Sequence, residues 1–221
     1  MPPTSFRAVS LLGLAAAVLV LATTGCSSMY FGTMEKLGYA KRDLLVKRVK
    51  SARKSQEEAK QQFKTALERF SEVVKLSDTE LSAKYAKLKA EYDRSETKAG
   101  EVRDRIADVE DVANALFKEW KAELKQYSSK DLRAASERKY DATRARYEQY
   151  IDAMKRAEQK IGPVLTSLHD RVLFLKHNLN AQAIASLQTE LTSVQTNTAS
   201  LVREMEAAIR EADAFLQTIA E

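Results

Sequence analysis

The sequence predicts an all-α protein: an elongated antiparallel bundle of about four long helices with coiled-coil-like packing. Three observations carry that prediction. The 221 residues include only six glycines and three prolines, and two of those prolines, Pro2 and Pro3, precede any fold. Charged residues make up 30% of the chain and aromatic residues 7%, the composition of long helices rather than of a mixed domain. Finally, apolar residues recur in alternating steps of four and three through nearly the whole chain after Met29, the spacing of an amphipathic helix at heptad rhythm. A three-helix, spectrin-like arrangement with one split helix is the alternative.

The first helix is marked by Leu45, Val49, Ala52, Gln56, Ala59, Phe63, Ala66, Phe70 and Val73, with Gln56 the one polar member of the stripe. Ser77-Asp78-Thr79-Glu80 then reads as a capping box, so a helix ends near Leu76 and another begins. The second stripe runs Leu81, Tyr85, Leu88, Tyr92, Ser95, Ala99, Val102, Ile106, Val109, Ala113, Leu116, Trp120, Leu124 and Tyr127. Ser128-Ser129-Lys130-Asp131 interrupts it with capping residues.

The third stripe is Leu132, Ser136, Tyr140, Thr143, Tyr147, Tyr150, Met154, Ala157 and Ile161, resuming at Val164, Leu168, Val172 and Leu175. Gly162-Pro163 lies inside it and must disturb it, because proline removes one backbone hydrogen bond. The resumed stripe favours a kink over a domain boundary. Asn178-Leu179-Asn180 reads as a tight turn, and a fourth helix carries Ile184, Leu187, Leu191, Val194, Thr198, Leu201, Met205, Ala208, Ala212, Phe215 and Ile219. Near-equal helices joined by short turns run antiparallel.

The first 25 residues differ from everything after them. One basic residue, Arg7, precedes the apolar run AVSLLGLAAAVLVLA, and small residues lead to Cys26. That is the pattern of a secretory signal peptide. At about 15 residues the run falls short of the roughly 20 that span a bilayer.

Cys26 is the only cysteine of the chain. The boundary Thr23-Thr24-Gly25-Cys26 resembles the lipobox of bacterial lipoproteins, in which the cysteine thiol is alkylated by lipid. Thr23 departs from the leucine usual at that place. The resemblance implies residues 1–25 as a lipoprotein signal peptide and 26–221 as a single helical domain tethered at Cys26. Ser27, where aspartate would hold a lipoprotein at the inner membrane, implies the outer membrane. With its thiol acylated the chain has no cysteine left for a disulfide, so packing alone must hold the fold.

Charge is unevenly spread. Within KRDLLVKRVKSARK, residues 41–54, the cations Lys41, Arg42, Lys47, Arg48, Lys50, Arg53 and Lys54 face only Asp43. From residue 181 to 221 there are six acids, Glu190, Glu204, Glu206, Glu211, Asp213 and Glu221, against Arg203 and Arg210. An up-down bundle brings the basic start beside the acidic finish, so complementary helix faces are the plainer use of these charges. The sharper use is contact with anionic head groups or an acidic cell-wall polymer. Tyr30 and Phe31, soon after Cys26, suit the head-group region of a membrane.

Little here suggests catalysis or metal binding. His169 and His177, eight residues apart on a helix, are separated by about 12 Å and rotated by about 80°. Asp108, Glu110 and Asp111 do not converge on one helical face. No phosphate loop or nucleophile with a paired base stands out, and no cofactor is expected.

The stretches MYFGTMEKLGYAKRDLLVKRVKSARKSQEEAKQQF and VLFLKHNLNAQAIASL resemble a bacterial family catalogued as domain of unknown function 2959. The resemblance covers nearly all of the mature chain. It implies a secreted, often lipid-anchored helical protein and assigns no active site. The function expected is therefore that of a non-enzymatic envelope lipoprotein, a structural or adaptor rod binding another envelope protein or the cell wall. The alternative is a membrane-surface or membrane-shaping protein that uses residues 41–54. Self-association is also open, and nucleic acid is not an expected partner.

Overall fold

The structure, a computed structural model, describes residues 40–75, 81–178 and 180–220. Cys26, Ser27, Tyr30, Phe31 and the Ser77–Glu80 capping box lie outside the described residues. The chain divides into two compact units, Met1–Leu44 and Leu45–Glu221. In the first, the described part is the opening of a helix, where the Leu44 amide donates to the Ala40 carbonyl.

Four long helices follow one another: α1, Lys41–Lys75; α2, Leu81–Glu123; α3, Lys130–His177; and α4, Ala181–Ala220. Among the described residues there is no strand. At about 1.5 Å per residue, α3 alone is some 70 Å long.

The helix ends obey local chemistry. The chain after α2 tightens into a single 3₁₀ turn, Leu124–Gln126, and then extends at Tyr127. Ser129 opens α3 by accepting the Leu132 amide on its hydroxyl, which satisfies one of the orphan donors of a helix start. Asn178 closes α3, its side-chain amide donating to the Phe174 carbonyl at 2.9 Å. Asn180 opens α4 by accepting the Ala183 amide at 2.9 Å. The two asparagines thus make a tight turn, each with its own cap. Helix α3 continues unbroken through Pro163. Gly162 helps, because it offers no Cβ to meet the ring that follows.

Cross-helix pairs fix the topology of the second unit. Gln62 bonds Glu91 and Lys98 bonds Glu58, so α1 and α2 run opposite ways. Lys155–Glu110 and Trp120–Ser136 do the same for α2 and α3, and Arg171–Glu190 with Lys139–Thr218 for α3 and α4. Arg53–Asp213 and Gln188–Val74 close α4 back onto α1. The result is an up-down-up-down four-helix bundle, and the three-helix alternative is excluded.

The core follows the heptads closely. All nine stripe residues of α1 are buried, Gln56 included. Ala52, Ala59 and Ala66 alternate with Phe63 and Phe70, so small side chains let neighbouring helices approach where large ones fill. Two corrections come from α2 and the hairpin that follows it. Its buried positions near the start are Lys84, Leu88, Glu91 and Ser95, whereas Tyr85 and Tyr92 are only half-buried at the flank. The Tyr92 hydroxyl, which donates to Glu96 at 3.1 Å, cannot be satisfied on the axis and turns the ring outward. At the hairpin tip that follows, the stripe residues Tyr127 and Leu132 are 42% and 62% exposed, with no helix among the described residues covering them.

Candidate functional site

The basic stretch is divided by the fold. Arg53 makes a two-pronged ion pair with Asp213 at 2.6 and 3.1 Å. Arg48 pairs with Asp108 on α2 at 3.3 Å, and Lys54 sits 3.7 Å from Glu58 one turn along. Hydrogen bonding to Asp213 holds the Arg53 guanidinium even more firmly protonated than usual. Arg53 thus meets the acidic helix directly, and Lys64 extends the contact, 3.8 Å from Glu206. Lys47, Lys50 and Lys54 are exposed and fall at i, i+3 and i+7, one outward stripe of α1. In the first unit Lys41 is half-buried and Arg42 exposed.

A polar cluster on the seam of α1 and α2 was not foreseen. Glu91 is 6% exposed. Burial by itself would raise its carboxyl, but hydrogen bonds from Arg94 and Gln62 outweigh that and hold it below the usual range. The Gln62 amide also reaches the Glu91 carbonyl at 3.3 Å and the Ser95 hydroxyl at 3.4 Å. Ser95 donates in turn to the Glu91 carbonyl at 2.8 Å. The sequence signal was present: taking Lys84, Leu88, Glu91, Ser95 as the inward row keeps the four-three rhythm. It was hidden because a charged residue counts against a core position.

The aromatic side chains form a continuous layer. Phe117 contacts Tyr140 edge-on and Tyr147 at a tilt, Trp120 contacts Tyr140 edge-on, and Phe215 lies against both Tyr147 and Tyr150. Tyr150 is fully buried and stacks on Phe215 with the rings 6° from parallel. Burial drives the hydroxyls of Tyr147 and Tyr150 well above the usual tyrosine range. Tyr140 accepts from Arg144, whose guanidinium also lies over the Phe117 ring. These rings pack against one another, the use that aromatic side chains commonly take in a helical core.

His169 is exposed with its ring against Tyr92, and His177 is exposed at the end of α3. Asp108 is taken by Arg48 and Arg105, and Glu110 by Lys155, while Asp111 faces solvent. Among the described residues no group of three or more His, Cys, Asp or Glu is placed to hold a metal ion. An open groove between α3 and α4 is lined by Asp170, Arg171, Phe174, Leu187 and Glu190. Arg171 crosses its floor, donating to the Ser167 carbonyl and to Glu190. Leu173 and Phe174 beside it are 46% and 38% exposed. Among the described residues no helix is long and apolar enough to cross a membrane.

With the four-helix architecture and its polar contacts in place, a family comparison is decisive for classification. The model of a family described as protein of unknown function (DUF2959) matches residues 30–219. The chain belongs to DUF2959. No curated protein and no solved structure matches it. Membership covers both halves of the resemblance seen in the sequence, including the asparagine-capped turn between α3 and α4, and it assigns no chemistry to any residue.

Proposed function

We propose that this DUF2959 member is a non-enzymatic, lipid-anchored envelope protein, with residues 1–25 removed as a signal peptide and the bundle tethered at Cys26. The bundle serves as a structural or adaptor element facing the periplasm from the outer membrane. The observation that carries the reading is the Gly25-Cys26 junction at the end of a short apolar leader with a basic start. A second support is the use made of polar side chains. Arg48, Arg53, Asp108, Glu110 and Glu91 are each engaged in cross-helix or local pairs. The exposed stripe Lys47, Lys50, Lys54, with Lys54 also beside Glu58, suits an acidic envelope protein or cell-wall polymer.

The test has two parts. Replacing Cys26→Ser should abolish incorporation of labelled palmitate and release the protein from the membrane fraction. A variant still membrane-bound at the mature size overturns the anchor. Photo-crosslinkers placed at Lys47 and Lys50 in cells should then give a discrete protein or cell-wall adduct, and crosslinks confined to α4 would overturn the adaptor role. The same lysine stripe supports a second reading, a membrane-shaping surface. On that reading crosslinks go to lipid, and flotation of the unlipidated chain with anionic vesicles is lost in salt.

A further inference from the structure

The α2–α3 hairpin tip departs from the rest of the bundle. Among the described stripe residues, Tyr127 and Leu132 alone are exposed, the others being buried or half-buried, and Ser128 and Ser129 are exposed between them. Exposed Lys121, Lys125, Lys130 and Arg133 surround the two apolar side chains. From residue 118 to 133 there are five cations and three acids.

We propose that this tip is a second contact with the membrane, seating Tyr127 and Leu132 among the head groups of anionic lipid. The proposal rests on the lipid anchor at Cys26. A tyrosine and a leucine flanked by lysines match the interface physically. Their apolar parts enter the head-group boundary while the hydroxyl and the ammonium groups stay hydrated. The flanking cations are complementary to an anionic leaflet.

The anchor makes a weak contact sufficient. A tethered chain meets the surface at high effective concentration, and two side chains suffice where a free protein would need many. The ion pairs that occupy Arg48 and Arg53 point the same way, since they draw charge away from the α1 stretch first expected to touch lipid.

The single cysteine makes the test clean, because lipid occupies its thiol. The full lipidated chain carrying Ser128→Cys is labelled with an environment-sensitive fluorophore and reconstituted on vesicles of phosphatidylcholine with phosphatidylglycerol. Lys176→Cys, at the other end of α3, provides the control. The label at position 128 should shift to the blue and become shielded from aqueous quencher, and the label at 176 should not. Adding Tyr127→Ser and Leu132→Ser should weaken the inserted state about tenfold or more, with the melting temperature unchanged because both side chains are exposed.

No shift at position 128 while the protein still floats with vesicles overturns the tip contact and leaves the anchor standing. Failure of the wild-type chain to float overturns the anchor, and the contact with it. Equal shifts at both positions overturn the assignment to the tip. An undiminished shift on pure phosphatidylcholine overturns the choice of an anionic surface.

Discussion

Two neighbouring parts of the core take in polar side chains by opposite means. On the α1–α2 seam, Glu91, Gln62 and Ser95 bond one another, and Arg94 closes over the carboxylate from the surface. Nearer the bundle axis, Gln56, Thr143 and Tyr150 are buried, but Gln56 Oε1, Thr143 Oγ1 and the Tyr150 hydroxyl have no hydrogen-bond partner among the described residues. Gln56 makes one weak contact, its amide donating to Met154 Sδ at 3.4 Å. The difference is one of reach. A seam lies within an arginine's length of solvent, so a buried charge there can be neutralised. The axis is walled by rings and methyl groups, and a polar atom placed there goes unmatched.

If the axial region is held by its rings, the largest effect should come from removing one of them. Phe215 lies between Tyr147 and Tyr150 and is fully buried. Phe215→Ala should cost about 3–5 kcal/mol, the usual toll of deleting a core phenylalanine, read as a lower urea midpoint at unchanged slope. A loss under about 1 kcal/mol would mean that the aromatic layer relaxes around the gap and is not the rigid part of the core.

A smaller effect of opposite sign is expected at the unmatched atoms. Gln56→Met keeps the volume and removes an unpaired carbonyl, so stability should rise by about 1–2 kcal/mol. Tyr150→Phe should be neutral or mildly stabilising for the same reason. A marked loss at Gln56 would instead identify it as a register-setting polar residue, the role a lone polar side chain can take at a coiled-coil core position. Melting temperature together with oligomeric state separates these outcomes.

The contrast also explains what could be read in advance. The four helices, their antiparallel order and most of the core followed from heptad spacing, because a side chain's face is set by 3.6 residues per turn whatever its neighbours do. Ser129, Asn178 and Asn180 were legible as caps, since capping is local. Glu91 and Lys84 were missed because burial of a charge depends on partners from elsewhere in the chain, here Gln62 on α1 for Glu91. Tyr127 and Leu132 were misread for a related reason: periodicity marks a face of the helix but not whether another element covers it. The basic stretch was read correctly as complementary to α4 at Arg53. The pairing of Arg48 with Asp108 on α2 needed the bundle's register.

The mildest test compares the two regions by pH. Glu91 is held below the usual carboxyl range in the folded chain, so its contribution is present above the ordinary glutamate value of about 4.3 and is lost as pH falls through its folded value. Tyr147 and Tyr150 are pushed above the usual tyrosine range by burial. Their contribution is present below about pH 10 and drains away as pH rises toward their folded values, because the unfolded chain ionises first. The seam should therefore govern the acid limb of stability and the axis the alkaline limb. Glu91→Gln should cost about 1 kcal/mol at neutral pH and flatten the acid limb while leaving the alkaline limb in place. Tyr150→Phe should do the reverse. Denaturant unfolding across pH measures both, and a Glu91→Gln profile parallel to the wild type in acid would show that other carboxylates carry the acid response. Glu57 and Glu58, both also lowered by hydrogen bonds from lysine, would then be next in line.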